Sequence, residues 1–412
     1  MEIMLAFSLF ILFTLSTFIL SRSMQELKIW SLKELDKMEK LVFEIDSGIG
    51  LNKIVYGNDS SILSNDLYRI SESDYVGAWG RNSCDVRIKF DQSKIDYSST
   101  GIDMGLSNPS TDIEVRNSIV YLTADSATAS RSDFFIIDAE DIFHPNVISS
   151  LNIGPGLSAL EVAGPYVFAA QASTVNQLQI IDIHDRFFPQ LISELKLSLP
   201  TPTTTAPFAS SIFYSRGYVY LGTAKWNGAE FAIIDVSNII SPKVVGSFET
   251  NTLINDIYVR GDKAYLATSD EKQMRVLDVS DKTQPILIDS FSPTGWQTQE
   301  GKTLDYFEET LGFGRTVGGF NVTGNHELFI SSTTTISRDI PGGVYGILMR
   351  PPYIFLLTHA SGKEFQVFDS TLSTKVFEFP LQSSPVRMTC DGSTFYFATG
   401  DSKGISILKS NE

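Results

Sequence analysis

Short runs of alternating apolar and polar residues, separated by turn-forming residues, follow one another along most of the chain. The clearest stretch covers residues 254–291, where Ile257 and Val259 alternate with polar residues before a turn at Gly261 and Asp262. Three more strand-like runs follow, at 264–267, 274–279 and 285–288. Runs of this length, broken by Gly, Asp, Ser and Pro, are typical of an antiparallel meander. The stretch therefore predicts four short strands.

The same four-strand pattern recurs along the chain. Six copies align on an aromatic residue of the second strand, and each has an apolar residue eight positions earlier. The pairs are Ile113 and Tyr121, Leu160 and Phe168, Ile212 and Tyr220, Ile257 and Tyr265, Ile347 and Phe355, and Met388 and Tyr396. A degenerate seventh copy covers residues 304–313, and successive copies lie 41 to 52 residues apart. Repeats of this length predict a mainly β fold, a seven-bladed β-propeller with four-stranded antiparallel blades.

An aspartate and a proline seven residues apart form a second periodic mark. The pairs are Asp138 and Pro145, Asp182 and Pro189, Asp235 and Pro242, and Asp278 and Pro285. An aspartate at the end of a third strand can cap the backbone N–H groups of the following turn. Proline cannot donate to a ladder, so it belongs at the start of an edge strand. We therefore interpret these aspartates as turn caps; the alternative is a ring of carboxylates around a pore.

The motif IIDVSxxxxP, placed after a strand that ends in YLAT, resembles the LVIVD repeat family of exported bacterial and archaeal propellers. The resemblance covers residues 111–409 and is strongest in the four copies that carry the Asp–Pro mark. It implies an exported propeller. The last copy ends after residues 405–408 and lacks a fourth strand, so we expect residues 86–90 or 94–97 to complete that blade.

Residues 1–20 form the second informative stretch. Residues 3–20 contain only Ser and Thr as polar interruptions, and a helix of that length spans about 27 Å, close to the apolar thickness of a bilayer. A cleaved signal peptide is disfavoured, because Glu2 stands where a basic residue is usual. A plain membrane anchor is the second interpretation. Its flanking Arg22 and Lys28 would keep the following chain in the cytoplasm, the wrong side for an exported propeller.

An apolar stripe continues the predicted helix to residue 46. Its members are Met24, Leu27, Leu35, Met38, Val42 and Ile45, with charged residues between them. A lone Glu2 at the start of such a helix resembles the N-terminal helix of type IV pilins. The resemblance implies that Glu2 pairs with a neighbour's N-terminal amine during filament assembly, since an unpaired carboxylate in an apolar core is costly. In that family the glutamate is the fifth residue of the mature chain and follows a cleaved leader. Glu2 stands at position two with no leader before it, so either the natural chain begins upstream of Met1 or the analogy with pilins fails.

The sequence thus divides into a pilin-like helix at 1–46, apolar over 1–20 and amphipathic over 21–46, a joint at 47–84, and a propeller at 85–412. The two cysteines are Cys84 and Cys390. A disulfide between them would close the ring. Alternatively, Cys390 is a small buried core residue, and with 86–90 as outermost strand it would lie about 14 Å from Cys84, too far for a bond.

Composition and residue placement argue against several classes of function. The net charge of −16 disfavours nucleic-acid binding. The four histidines fall at different repeat positions, so no metal site is expected, and no catalytic motif or cofactor site stands out. Trp226 and Trp296 lie in predicted loops at blade ends and are candidates for contact with a protein or glycan. Packing under a neighbouring loop is the alternative for both.

These patterns lead to one functional expectation and two alternatives. We expect a structural, non-enzymatic subunit of a pilus-like extracellular filament that displays a propeller for adhesion or protein contact. Its partners would be copies of itself or other pilins, with the cytoplasmic membrane holding the precursor. The first alternative is a membrane-anchored binding module that does not polymerise. The second is an exported propeller enzyme, which would need a convergent acid–base cluster at the axis.

Overall fold

The predicted propeller is present in the computed structural model. The structure describes residues 68–69, 75–76, 84, 95–99, 109–125, 131–198, 207–294, 299–317, 326–401 and 404–410. The helix predicted over 1–46, with Glu2, lies outside the described residues, and so does Trp296. Seven four-stranded antiparallel sheets are arranged as blades, which confirms the seven-bladed propeller. The described residues contain strands and turns but no α-helix.

Each of the first four blades uses four consecutive strands, from the innermost to the outermost. Blade 1 comprises β4 (Ser110–Arg116), β5 (Ile119–Ala124), β6 (Phe134–Asp138) and β7 (Asn146–Leu151). Blade 2 comprises β8 (Leu157–Ala163), β9 (Tyr166–Gln171), β10 (Leu178–Asp182) and β11 (Gln190–Leu195). Blade 3 comprises β12 (Ala209–Ser215), β13 (Tyr218–Thr223), β14 (Phe231–Asp235) and β15 (Lys243–Phe248). Blade 4 comprises β16 (Ile254–Arg260), β17 (Lys263–Thr268), β18 (Met274–Asp278) and β19 (Ile286–Phe291).

The last blade is completed by a strand from the beginning of the propeller. Blade 5 comprises β20 (Gly301–Phe307), β21 (Thr310–Arg315), β22 (Leu328–Ser331) and β23 (Thr335–Arg338). Blade 6 comprises β24 (Gly346–Arg350), β25 (Tyr353–Leu357), β26 (Phe365–Asp369) and β27 (Lys375–Phe379). Blade 7 comprises β28 (Pro385–Asp391), β29 (Thr394–Thr399) and β30 (Ile405–Ser410), with β3 (Ile95–Ser98) as its outermost strand. Outside the ring, β1 (Tyr68–Arg69) pairs with β2 (Tyr75–Val76).

The blades present two faces, which follow from the antiparallel order of their strands. The turn face carries the hairpins between the first and second strands and the turns between the third and fourth strands. Main-chain hydrogen bonds join these two sets, as between Ala139 N–H and Ser118 O at 2.9 Å. The linker face carries the second-to-third connections and the segments that lead from one blade to the next. There, Asp125 N–H donates to Pro109 O at 3.0 Å.

Apolar side chains fill the spaces between neighbouring blades. Six buried clusters each combine residues from two or three successive blades, and together they connect all seven. The aromatic and apolar marks of the repeat belong to these clusters; Ile113 and Tyr396, for example, meet between blades 7 and 1. Periodic apolar positions along the chain therefore predict the face-to-face packing of the sheets.

A β-bulge near the start of the innermost strand recurs in six blades. Each bulge leaves one residue of that strand out of the pairing register. The bulge residues of blades 1 to 5 and 7 are Thr111, Ser158, Ser210, Asn255, Lys302 and Val386. Blade 6 has no bulge at this point, because Gly346 and Ile347 pair in direct register with Leu357 and Leu356. A bulge re-aims the side chain of its extra residue.

The bulge side chains of blades 1 to 4 tie each blade to the next one. Each donates a hydrogen bond of 2.6–2.7 Å to the carbonyl of the first residue in the next innermost strand. The donor and acceptor pairs are Thr111 and Leu157, Ser158 and Ala209, Ser210 and Ile254, and Asn255 and Gly301. A buried carbonyl without a partner costs roughly 1–3 kcal/mol, so these ties fix how adjacent innermost strands meet.

Cys84 and Cys390 form a disulfide with a Cα–Cα distance of 5.3 Å. Cys84 pairs with Gly392 in an isolated parallel bridge, beside the hairpin that follows β28. The outermost strand of blade 7 is residues 95–98 rather than 86–90. Cys84 is therefore not a member of that outer strand, and the separation of about 14 Å that would prevent a bond does not arise.

We expect Thr111→Val to lower the free energy of unfolding by about 1–2 kcal/mol, because valine keeps the shape of threonine but leaves Leu157 O without its donor. Urea denaturation followed by tryptophan fluorescence measures this change. Thr333→Val is the matched control, since Thr333 is exposed and its replacement should change the stability by less than about 0.5 kcal/mol. Equal stability of the two variants would contradict the role of the tie.

We expect Cys84→Ser combined with Cys390→Ser to destabilise the propeller by about 2–5 kcal/mol, because the bond joins residues 306 positions apart and restricts the unfolded chain. Thermal unfolding with and without dithiothreitol measures the effect. The reductant should lower the midpoint of the wild type and leave that of the double variant unchanged. Two free thiols per native chain in a thiol titration would argue against the bond.

Candidate functional site

The innermost strands of all seven blades surround a cavity on the propeller axis. Its volume is about 130 Å³, which is below the ~300–1,000 Å³ of pockets that hold drug-sized ligands. Its lining combines apolar residues with seven charged ones: Asp112, Glu114, Glu161, Asp256, Asp305, Arg350 and Arg387. The fold thus concentrates ionisable side chains on the axis, where the sequence did not reveal a cluster.

Arg387 crosses the axis near the linker face and contacts two other blades. Its Nε lies 4.0 Å from Asp112 Oδ1 in blade 1, and its Nη1 lies 4.0 Å from Asp256 Oδ2 in blade 4. Its Nη2 donates to Asn255 O at 3.3 Å. One guanidinium from blade 7 therefore lies between carboxylates of blades 1 and 4.

Both of these carboxylates also bind the backbone of the next blade. Asp112 accepts hydrogen bonds from Ile113 N–H at 2.9 Å and from Leu160 N–H at 3.0 Å. Asp256 repeats this arrangement one half-turn away, with Ile257 N–H at 3.0 Å and Leu304 N–H at 2.8 Å. Each oxygen thus has a backbone donor. Burial raises the pKa of Asp112 to about 6 despite the opposing effect of Arg387.

Two further ion pairs occupy the part of the axis nearer the turn face. Asp305 Oδ2 lies 3.0 Å from Arg350 Nη1 and accepts a hydrogen bond from Met349 N–H at 2.7 Å. Glu114 pairs with Arg116 at 3.3 Å. No group of three or more metal-ligating side chains is positioned to hold an ion within the described residues. Both ion pairs also join neighbouring blades, since Asp305 in blade 5 contacts Arg350 in blade 6 and Glu114 in blade 1 accepts from Val162 N–H in blade 2.

An aromatic pair stands at the linker face of blade 6, where the bulge is absent. The rings of Tyr345 and His359 stack with centroids 3.6 Å apart and an interplanar angle of 14°. His359 Nε2 lies 3.2 Å from Pro385 O, the first carbonyl of the next innermost strand. A carbonyl can only accept, so Nε2 carries the proton. His359 thus supplies the tie that bulge side chains make in blades 1 to 4.

The four aspartates of the Asp–Pro mark lie on the turn face, each at the end of a third strand. One carboxylate oxygen of each accepts the N–H of the second residue after it, at 2.8–3.0 Å. The pairs are Asp138 and Glu140, Asp182 and His184, Asp235 and Ser237, and Asp278 and Ser280. The outer strand begins directly after each proline. These carboxylates are at the blade turns, and a different set surrounds the axis.

A second cap follows three residues later in the same turns. Asp141, Asp185 and Asp281 accept the N–H of the residue two positions on, at 2.8–2.9 Å. The capped residues of blades 1 and 2 are Phe143 and Phe187. In blade 4 the capped residue is Thr283, so the turn does not require a large apolar side chain at this position.

Three consecutive blades nevertheless expose large apolar side chains in these turns. Phe143 is 46% exposed, Phe187 68%, Phe188 71% and Ile240 74%. We call these four residues the apolar arc. All four lie on the same face of adjacent blades, and groups of exposed apolar side chains on one face of a soluble domain mark sites of contact with other molecules. The arc lies on the turn face of blades 1 to 3, away from the linker face.

Trp226 lies on the linker face, in the connection between β13 and β14. Its Nε1–H donates to Ala229 O at 3.1 Å. The ring also covers Gly228, where a Cβ would come within 2.6 Å of the indole. The side chain is partly buried and folds over its own loop. Because the ring packs on its own loop, only part of the indole surface is exposed to a ligand.

Sequence comparison identifies repeats of one family in the middle of the chain. The LVIVD repeat model matches residues 208–250 and 254–292, which correspond to blades 3 and 4. A search of curated proteins finds no match. The chain is therefore a β-propeller protein that contains LVIVD repeats, and this family assignment extends to the two matched blades.

Solved structures with little sequence similarity share the fold. Virginiamycin B lyase from Staphylococcus aureus is 13% identical, with a TM-score of 0.55 over 77% of this chain and 99% of that chain. The computationally designed Ika8 protein is 10% identical, with a TM-score of 0.53 over 76% of this chain and 98% of that chain. Chaetomium thermophilum Raptor is 10% identical, with a TM-score of 0.56 over 77% of this chain and 29% of that chain. Identities this low indicate the propeller fold alone.

Sequence reasoning missed the axial ion pairs and the apolar arc. A usable signal existed for the first: Asp112, Asp256 and Arg387 each immediately precede the apolar mark of their repeat, a position that is uncharged in the other copies. A signal also existed for the arc. Phe143, Phe187 and Ile240 each stand five residues after the aspartate of the Asp–Pro mark.

We expect the contribution of Asp112 to stability to decrease as the pH rises from about 4 to 7. Its pKa is raised to about 6 in the folded protein, so folding favours the protonated form. That advantage is complete below the unfolded pKa and is lost above about 6. Asp112→Asn should therefore flatten the dependence of unfolding free energy on pH, as measured by urea titrations between pH 4 and 8.

Asp278→Asn is the matched control for this titration. Hydrogen bonds from Ser280 to the Asp278 carboxylate lower the pKa of Asp278. The carboxylate therefore contributes to stability above its unfolded pKa, and this contribution is lost at acid pH. Replacement should leave the slope between pH 5 and 7 unchanged. A pH profile of Asp112→Asn that is parallel to that of the wild type would contradict the raised pKa.

Proposed function

We propose that this β-propeller protein with LVIVD repeats is a surface-displayed contact module, in which the turn face of blades 1 to 3 binds a partner protein. The observation that carries the proposal is the apolar arc. Blade 4 builds the same double-capped turn with Thr283, so the fold gains nothing from exposing Phe143, Phe187, Phe188 and Ile240. Exposed aromatic and aliphatic residues are the anchors that desolvate well on binding.

The partner surface would be neutral or basic around an apolar centre. Carboxylates flank the arc, among them the exposed Glu140, Asp141 and Asp185, and the whole chain carries a net charge of −16. Such a face repels acidic surfaces and attracts basic ones. A basic surface of a protein on the same or a neighbouring cell fits this chemistry.

We place the protein outside the cytoplasm. The disulfide between Cys84 and Cys390 supports this, since such bonds persist in oxidising compartments. The resemblance of the repeats to exported propellers points the same way. The apolar residues 1–20 supply the means of tethering the chain.

We further propose that the tether polymerises as type IV pilins do. The support is the sequence of residues 1–46, where Glu2 begins an apolar segment that continues as an amphipathic one. A carboxylate in an apolar bundle favours the register that pairs it with a neighbour's amine. The alternative is a tether that stays in the membrane without polymerising, which the same apolar length allows.

Immunogold electron microscopy on cells and on sheared surface material distinguishes the two tethers. Label along fibres is expected for a main filament subunit, and label at fibre ends for a tip subunit. Glu2→Gln should reduce the protein in the sheared fraction, whereas Glu26→Gln, between members of the apolar stripe, should not. Label confined to the cell envelope, with none in the sheared fraction, would reject polymerisation and leave the membrane-tethered module.

We expect Phe187→Ser, Phe188→Ser and Ile240→Ser together to abolish partner-dependent attachment of cells that display the protein, because they remove the apolar anchors. Attachment to untreated cells of the same culture measures the effect. The free energy of unfolding should change by less than about 1 kcal/mol, since the replaced side chains are exposed.

Val175→Ser is the matched control, because Val175 is 62% exposed on the linker face. It should leave attachment unchanged. Loss of attachment in this variant, or full attachment of the triple variant, would show that the arc is not the contact surface.

A further inference from the structure

The bulge position of the innermost strands is filled differently in blade 5. In blades 1 to 4 this residue has a neutral side chain that donates to the next blade. Blade 5 keeps the bulge, since the register skips from Gly301 to Thr303, but the residue is Lys302. An ammonium replaces a hydroxyl or amide at the junction between blades 5 and 6.

Lys302 is partly buried, and the structure records no hydrogen bond or ion pair between its ammonium and any described residue. Burial lowers the pKa of Lys302, and the positive charge of Arg387 lowers it further. Glu300 and Asp256 lie close enough to oppose this effect in part. A half-buried ammonium beside a guanidinium is costly unless a negative charge lies near both.

Arg387, near Lys302, has N–H donors that make no hydrogen bond to a described residue. A guanidinium has five N–H donors, and among the described residues Arg387 makes one hydrogen bond, to Asn255 O at 3.3 Å. Its two carboxylate neighbours are 4.0 Å away, beyond hydrogen-bond distance. Their oxygens already accept backbone N–H groups. Most of the N–H donors of Arg387 therefore have no acceptor within hydrogen-bond distance among the described residues.

The third acidic group at the mouth is also engaged. Glu300 is exposed, and its Oε2 accepts a hydrogen bond from Ser269 Oγ at 3.0 Å. Within the described part of the chain, the charged groups that act on Lys302 are then Arg387, Glu300 and Asp256. The N–H donors of Lys302 and Arg387 thus outnumber the acceptors that lie within hydrogen-bond distance of them among the described residues, and an anion would supply further acceptors.

The stacked rings of Tyr345 and His359 border the same mouth. Lys302 is near enough to His359 that its charge lowers the histidine pKa, which burial lowers first. The imidazole is therefore neutral near pH 7, and its Nε2–H is held by Pro385 O. Tyr345 and His359 present a flat surface beside the ammonium of Lys302, and burial, followed by the nearby carboxylate of Glu300, raises the pKa of the Tyr345 hydroxyl.

We propose that the linker-face mouth of the channel, at Lys302 and Arg387, binds the carboxylate or phosphate group of a small ligand that has a planar ring. The guanidinium offers paired N–H donors to such an anion, and the ammonium adds a point charge. The ring of the ligand lies against Tyr345 and His359. This site is separate from the apolar arc, which lies on the opposite face, so the inference does not depend on the proposed contact function.

Isothermal titration calorimetry on the full chain tests the proposal, with benzoate, phenyl phosphate and inorganic phosphate as probes and benzylamine as the cationic control. At least one of the two aromatic anions should bind and raise the thermal midpoint, and benzylamine should do neither. Binding of benzoate alone identifies carboxylate ligands, and binding of phenyl phosphate identifies phosphate esters. Failure of both aromatic anions to bind the wild type would overturn the proposal, whatever inorganic phosphate does.

Lys302→Met separates a ligand site from a structural role. Removal of a costly ammonium should raise the thermal midpoint without ligand and weaken binding of the anion by about tenfold or more. Arg387→Lys should weaken binding by a similar factor, because the paired donors are lost. Lys225→Met, exposed on the same face, should bind as the wild type does. Unchanged anion affinity in Lys302→Met would overturn the assignment of the site.

Discussion

The propeller depends on one constraint, which is that seven innermost strands must meet around an axis without leaving buried polar groups unpaired. The bulge near the start of these strands meets that constraint in four blades, because it turns a hydroxyl or amide toward the next strand's carbonyl. The aspartates at positions 112 and 256 do the same for N–H groups. Where the bulge residue has a different side chain, as Lys302 does in blade 5, this hydrogen bond between neighbouring blades is absent among the described residues.

This constraint also separates the two faces by function. The axis is filled with charges that bind one another and the backbone, and its cavity of about 130 Å³ is smaller than the pockets that hold drug-sized ligands. What remains available for partners lies at the ends of the blades. On the turn face these are exposed apolar side chains on the turns between the third and fourth strands of blades 1 to 3. On the linker face they are two cations and a pair of rings where the regular ties stop.

The sequence predicted the parts of the fold that are set by period and turn chemistry. Alternation and the spacing of Tyr121 and its equivalents gave the blades and their number, because each aromatic fills the same gap between sheets. The sequence left two candidates for the closing strand, residues 86–90 and 94–97, because both segments are rich in residues that favour strands. The axial cluster was missed because Asp112, Asp256 and Arg387 are far apart in sequence and meet only when the ring closes. The identity of a partner is not encoded in a repeat pattern.

The disulfide has a mechanical consequence for a tethered protein. A pull on the segment that precedes Cys84 enters the fold through a covalent bond to Cys390, in the innermost strand of blade 7. The strand that closes the ring, residues 95–98, follows Cys84 in the chain and lies outside this load path. Its hydrogen bonds to β30 are therefore shielded from tension, and the ring can stay closed while the tether bears force.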